Sequence, residues 1–278
     1  MKVLNTVKDV RGAVAAARAE GKTVGLVPTM GALHEGHMTL VRNAKAVCDF
    51  VVVSVFVNPT QFGPTEDFDK YPRTLAADAE KCEKEGVDVI FAPSPAEMYP
   101  EGYDAWVTVG GVTEVLEGEA RPTHFRGVTT VCTKLFNITG ADKAFFGRKD
   151  YQQLCVIKKN VRDLNLNLEI VPVDIVRDTD GLALSSRNKY LSDEERKAAL
   201  CLSRSLKIAK KMYKSGSDLA EIKSAVTKEI EAEPLMKIDY VALVDRDTLR
   251  DVTAETEGVV LLLAAYAGAT RLIDNTLL

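Results

Sequence analysis

Pro28-Thr29-Met30-Gly31-Ala32-Leu33-His34-Glu35-Gly36-His37 lies between a short apolar run, Thr23–Val27, and an amphipathic segment, Met38–Cys48. That order spells strand, tight loop, helix. The loop places two imidazoles three residues apart, with Gly36 between them, where the first helical turn begins. A helix N-terminus attracts anions through its unpaired N–H groups and its dipole. Gly36 lets a ligand approach the backbone with no Cβ in the way. Two of the chain's three histidines stand here, and together with the helix start they suit the phosphates of a nucleoside triphosphate. Ordinary surface histidines at a turn are the bland alternative.

Working outward, the first two-thirds alternates strand-length apolar runs with helical patterns. Thr23–Val27, Phe50–Val57, Val87–Ala92, Ala144–Phe146 and Leu168–Val176 are the expected strands. Helical segments are expected near 37–48, 74–85, 129–138 and 151–163. A run such as Phe50-Val51-Val52-Val53-Ser54-Val55-Phe56-Val57 has no polar face, so both faces must be covered. The pattern predicts a parallel sheet wrapped by helices, with ligands beyond the carboxyl ends of its strands. After Asp178-Thr179-Asp180-Gly181 the order becomes helix, helix, strand, strand. Ser192-Asp193-Glu194-Glu195 is a capping-box start for a helix to about residue 213. A second helix is expected over 217–231, strands over 238–244 and 259–267, and a short third over 270–273. Two domains follow, 1–176 and a smaller α+β unit, 177–278.

The 278 residues carry 46% hydrophobic and 27% charged side chains and a net charge of −4. That composition fits a globular protein and gives no general electrostatic footprint for nucleic acid or an acidic membrane surface. The apolar run Val259–Ala267 is too short to span a bilayer. Lys8, Asp9 and Arg11 stand where a signal peptide needs apolar residues, so a cytoplasmic location is expected. The five cysteines are scattered without a C-x-x-C pair. Structural zinc and a disulfide framework are therefore not expected, and each cysteine is read as a small buried residue.

Further candidate segments follow strands. Asn58 and Gln61, in Asn58-Pro59-Thr60-Gln61-Phe62-Gly63-Pro64, offer neutral amides to a small molecule bearing hydroxyl or carboxylate groups, or serve turn chemistry alone. Phe146-Gly147-Arg148-Lys149-Asp150 joins a strand to a helix, and Lys149 is either a point charge for phosphate or a solvated surface lysine. Leu184-Ser185-Ser186-Arg187 offers two hydroxyls and a guanidinium to phosphoryl oxygens. Arg121-Pro122-Thr123-His124-Phe125-Arg126-Gly127 either contacts an anionic substrate or decorates a loop. No G-x-x-x-x-G-K-[ST], G-x-G-x-x-G or G-x-S-x-G is present, so a Walker-type loop, a dinucleotide fingerprint and a hydrolase elbow are all disfavoured.

The ordered set PTMGALHEGH (28–37), FVNPTQFGP (56–64), YPRT (71–74), RPTHFRGV (121–128), FFGRKDYQQL (145–154) and LSSRN (184–188) resembles the pantothenate synthetase (pantoate–β-alanine ligase) family along the whole chain. That family lies within the HxGH nucleotide-binding superfamily. The resemblance implies a Rossmann-like ATP- and pantoate-binding domain over 1–176. It also implies ATP-dependent joining of pantoate to β-alanine, with a pantoyl adenylate on the way and AMP and pyrophosphate as by-products. Met30, Gly31, Ala32, Leu33, His34, Glu35, Gly36, His37, Gly147, Arg148, Lys149, Asp150, Val176, Leu184, Ser185, Ser186 and Arg187 are implied to line the ATP site. Among them His37, His34, Lys149 and Arg187 are the implied catalytic groups. Gln61 and Gln153 are implied to bind pantoate, Gln61 also β-alanine. Mg²⁺ and a homodimer are implied too, with no ligand set for the metal. The chain departs from the common pattern at Leu184, where Met is usual, and at Arg148, where an acidic or amide residue is usual. Two other functions stay open at this point, a nucleotidylyltransferase that stops at adenylyl transfer and a non-catalytic nucleotide-binding module.

Overall fold

A computed structural model describes residues 1–64, 66 and 68–278. Thr65 and Asp67, in the long acidic loop before Tyr71, lie outside the described residues. By contacts the chain forms two units, one of residues 1–148 and 153–174, the other of residues 149–152 and 175–278. The sequence-based boundary at 176/177 differs from the second crossing by two residues, and residues 149–152 cluster with the second unit.

The first unit runs β1 (Lys2–Leu4), α1 (Val7–Ala19), β2 (Val24–Thr29), α2 (Glu35–Val47), β3 (Phe50–Val55), a 3-10 turn (Pro59–Gln61), α3 (Leu75–Lys84) and β4 (Val89–Phe91). Two single-turn helices follow, α4 (Pro95–Met98) and α5 (Glu117–Ala120), then α6 (His124–Thr139), β5 (Lys143–Gly147), α7 (Tyr151–Asp163) and β6 (Glu169–Val173). The first two residues of α7 fall in the second unit.

Among the described residues the six strands are all parallel, in the order β1-β4-β3-β2-β5-β6. The sheet is buried on both faces, as the continuous apolar runs predict. Leu26 and Val52 pack with Val10 and Val14 of α1 and with Val128 and Phe136 of α6. Their chain neighbours Val27 and Val53 point the other way and pack with Val41 and Ala44 of α2 and Cys82 of α3. The winding runs one way from β2 through β3 to β4, and the other way from β5 to β6. The carboxyl ends of the adjacent strands β2 and β5 therefore flank the switch point where ligands collect in such sheets.

The second unit holds a 3-10 turn (Ser186–Tyr190), α8 (Asp193–Lys214), α9 (Leu219–Glu231), β7 (Met236–Asp245), β8 (Val259–Ala267) and β9 (Thr270–Leu277). Ser192 and Glu195 form the expected reciprocal cap of α8. The strands make an antiparallel sheet, β7-β8-β9. Its Leu261 and Leu263 pack against Leu202 and Leu206 of α8 and Ile222 and Val226 of α9.

Differences from the sequence expectations have local causes. β1 and α1 were not anticipated. α6 begins at His124 rather than Thr129, so part of the Arg121–Gly127 segment read as a loop is helix. β3 stops at Val55, before the Asn58 turn, and β6 stops at Val173. β9 runs on through Asp274, Asn275 and Thr276 to Leu277, because these polar residues pair with β8. Cys48, Cys82, Cys132 and Cys201 are buried and free of disulfides, and burial pushes the thiols of Cys82, Cys132 and Cys201 up to about 12. No helix among the described residues is long and apolar enough to cross a membrane.

Candidate active site

The loop after β2 ends in a cap made by its own histidines. His34 is the N-cap of α2, and its Nδ1 accepts the Gly36 N–H at 3.1 Å. His37 reaches back, and its Nδ1 accepts the His34 N–H at 3.3 Å. Serine and glutamate usually fill these two roles. With imidazoles in them, an Nδ1 that accepts a hydrogen bond fixes the tautomer, so the remaining ring hydrogen of each neutral ring sits on Nε2. Both rings thus carry an Nε2–H donor at the positive end of a helix, their centroids 4.1 Å apart. The carboxylate of Glu35 turns aside to Arg42 at 2.5 Å.

The preceding residues need an external clamp. Gly31 and Ala32 have φ of +88° and +51°, and the left-handed region is costly for alanine. Asp78 of α3, fully buried, accepts the N–H groups of Ala32 at 3.0 Å and Leu33 at 2.8 Å. Thr74 donates its hydroxyl to the same carboxylate at 3.1 Å, and Lys81 donates to the Leu33 carbonyl. Sequence reasoning missed Asp78, since a lone aspartate in an amphipathic helix reads as solvated.

Gln61 is held as firmly. Its Oε1 accepts from Asn58 Nδ2 at 3.0 Å, and its Nε2 donates to Met30 Sδ at 3.3 Å, which brings the amide against the histidine-bearing loop. Asn58 is oriented in turn by the Tyr99 hydroxyl at 2.8 Å and by the Gly127 carbonyl at 3.2 Å. The Gln61 carbonyl accepts from the His124 ring at 2.9 Å, and Arg121 binds Glu66 through two nitrogens. Arg121 and His124 therefore serve the Gln61 turn. Desolvation, helped by the Arg121 charge, pulls His124 down to about 4, so its ring is neutral at neutral pH. Burial opposes ionisation of Glu66, yet the Arg121 hydrogen bonds and charge hold it below the usual range.

Gly147 ends β5, and the Arg148 N–H extends the ladder to the Val173 carbonyl at 2.8 Å. The Arg148 guanidinium lies 3.4 Å from Asp174. Gln153 is half-buried in the first turn of α7.

The other predicted residues belong to the second unit. Lys149 and Asp150 lead into α7, and the Lys149 carbonyl accepts from Asn275 Nδ2 at 2.8 Å. Val176 and Leu184 face each other across a hairpin, with the Leu184 N–H on the Val176 carbonyl at 2.9 Å. Ser185 caps the 3-10 turn that carries Ser186 and Arg187. The structure thus groups Met30–His37 with Gln61 in the first unit, and Val176 with Leu184–Arg187 in the second.

The pantoate-β-alanine ligase family model matches residues 2–277. The chain belongs to that family. A pantothenate synthetase from Moorella thermoacetica is 54% identical over 100% of this chain and 99% of its own length. One from Acetivibrio thermocellus is 52% identical at the same coverage of both. Among solved structures, pantothenate synthetase from Thermus thermophilus superposes with a TM-score of 0.94 at 45% identity, covering 99% of each chain. A pantoate-β-alanine ligase from Francisella tularensis, solved with β,γ-ATP and β-alanine, matches with a TM-score of 0.82 at 34% identity over 100% of this chain and 97% of its own. Pantoate-β-alanine ligases form an amide, which selects ligation over bare adenylyl transfer or passive nucleotide binding.

Proposed function

We propose that this pantoate-β-alanine ligase works in two steps. The pantoate carboxylate attacks the α-phosphorus of ATP, an acyl–phosphate bond forms and pyrophosphate leaves. The β-alanine amine then attacks the acyl carbon, an amide bond forms and AMP leaves. The first step brings an anion to a polyanion, so positioned donors must supply most of the catalysis. The observation that carries this reading is the reciprocal histidine cap, which sets two imidazoles side by side at a helix N-terminus with Nδ1 of each on a backbone N–H. His37 is the donor that stabilises charge on the phosphates as pyrophosphate departs, with His34 beside it.

Met30–His37, Gly147–Asp150, Val176 and Leu184–Arg187 are proposed to line the nucleotide, with Lys149 and Arg187 as the cations on phosphoryl oxygens. Gln61 and Gln153 are proposed to hold pantoate, Gln61 also β-alanine. The β,γ-ATP and β-alanine bound by the Francisella relative support these ligands here. Among the described residues no group of three or more His, Cys, Asp or Glu side chains is arranged to hold a metal. The expected Mg²⁺ is therefore proposed to arrive on the nucleotide phosphates, as that ion commonly does, and to neutralise their charge. A cytoplasmic homodimer is the proposed working form, with light scattering on the purified chain as its check.

Mixing the protein with Mg²⁺-ATP and pantoate is expected to release about one pyrophosphate per site, as a two-step route requires. Steady turnover is expected only after β-alanine is added. Rapid quench measures both, and pyrophosphate release that depends strictly on β-alanine overturns the two-step route.

A further inference from the structure

We propose that the adjacent residues Asp274 and Asn275 of β9 are positioning residues for both anion-handling segments of the second unit, Lys149 and Leu184–Arg187. The proposal rests on the reading above that these segments handle nucleotide phosphates. Both side chains are nearly closed off from solvent, 3% and 5% exposed, beside the uniformly apolar β8. Buried polar groups in such a place are costly unless paired. Here Asn275 pairs with Lys149 itself, and Asp274 pairs with Arg177 on the hairpin that leads into Leu184–Arg187.

Successive side chains leave opposite faces of a strand, so the two neighbours serve different segments. Asn275 donates Nδ2 to the Lys149 carbonyl at 2.8 Å. The Tyr151 hydroxyl supplies a second tether, to the Arg246 carbonyl just after β7 at 3.0 Å. These two bonds hold residues 149–152 to the second unit.

Asp274 receives the Arg177 guanidinium through two nitrogens, at 2.6 and 2.8 Å. Arg177 also donates to the Gly181 carbonyl at 3.2 Å and bridges to Ala183 across the hairpin. The hairpin is closed by the Asp178 N–H on Leu182 and the Leu184 N–H on Val176. Its returning arm runs straight into Leu184-Ser185-Ser186-Arg187, and Asn188 ties the next turn back to the Ala183 carbonyl at 3.0 Å. The two anchors are themselves joined, since Asp274 Oδ1 accepts the Asn275 N–H at 2.8 Å. A bidentate pair on a buried carboxylate adds more to geometry than to net stability. What the pair fixes is where Lys149 stands relative to Ser185, Ser186 and Arg187.

The test uses the full chain and the single-turnover rate of pyrophosphate release at saturating Mg²⁺-ATP and pantoate, with ATP affinity and melting temperature measured in parallel. Asn275→Ala, the size-conserving Asn275→Asp and Asp274→Asn are each expected to slow the step about 10- to 100-fold, the scale of a small misplacement of reacting groups. ATP affinity is expected to change much less. Ile222→Val in α9, a core change in the same unit, is expected to lower the melting temperature and leave the rate unchanged. In a Lys149→Ala background the Asn275 substitutions are expected to add nothing, and in an Arg187→Ala background the same holds for Asp274→Asn. If Lys149→Ala and Arg187→Ala both keep the wild-type rate, the phosphate-handling reading fails and takes this proposal with it. If those variants are slow while the β9 variants keep the wild-type rate, the positioning role alone fails. Fully additive losses, or an equal slowing by Ile222→Val, reduce Asp274 and Asn275 to structural residues and also overturn the proposal.

Discussion

The two imidazoles of the β2–α2 loop each accept a backbone N–H at Nδ1, which places the ring hydrogen of the neutral form on Nε2. Removing the His37 ring takes away a proposed transition-state donor and half of the reciprocal cap. His37→Ala is expected to slow adenylate formation by about 10²–10³, the usual loss for one such donor, with ATP affinity within a few-fold of wild type. Single-turnover quench against a binding titration separates the two, and a rate within a few-fold of wild type makes His37 structural. At this scale the strand-end positions of the candidate residues were legible, because histidines, amides and glycines stand out there, and the structure sets His34, His37 and Gln61 after β2 and β3 as that reading expects. Their supports were not. Asp78 acts by lying under the Ala32 and Leu33 N–H groups, and Asn275 by meeting the Lys149 carbonyl. Both contacts depend on distant parts of the chain meeting in space, which no local spacing records.

Elements were readable where burial imposes a long pattern, as in the parallel strands β2 and β3, the capped helix α8 and the fully apolar β8. β1, with three residues, is too short to show a period, and only the first half of β9 was read as a strand because Asp274, Asn275 and Thr276 are polar yet buried. The start of α6 was missed because Arg121-Pro122-Thr123-His124 reads as loop chemistry. Its first turns carry Gly127, where the helix meets the 3-10 turn so closely that a Cβ would stand 2.3 Å from the Thr60 carbonyl oxygen and 2.7 Å from Gln61 Cα. Backbone cannot yield to that contact as a flexible side chain does. Gly127→Ala is therefore expected to force the Asn58–Gln61 turn off α6, costing about 1–3 kcal/mol as overpacking does. It is also expected to weaken pantoate binding more than ATP binding, since Gln61 moves with the turn. Urea unfolding and paired titrations read the two effects, and unchanged pantoate affinity would remove Gln61 from the pantoate site.

Over the whole molecule, acid stability separates into two pH windows. His124 titrates at about 4 in the fold, against an ordinary 6.5, because its ring is desolvated and faces Arg121. The hydrogen bond to the Gln61 carbonyl, then the charges of Glu66 and Glu117, act in the opposite direction and only partly offset that shift. Between pH 6.5 and about 4 the unfolded chain accepts a proton on this ring that the folded chain refuses. Stability therefore falls as pH falls through that window, with a slope of up to ~1.4 kcal/mol per pH unit for one proton. The carboxylates of Glu35, Asp49, Glu66, Asp163, Asp178 and Asp245 are held below their usual range by hydrogen bonds and cationic partners, against burial in the case of Glu66. Their contributions are complete above their unfolded values and are lost only as pH drops further, below about 4.5. His124→Gln keeps a donor for the Gln61 carbonyl and removes the titration. Urea unfolding from pH 7 to 4.5 is expected to show a steady loss for the wild type and a slope smaller by close to one proton for the variant. Parallel slopes would mean that another group carries the acid sensitivity of the fold.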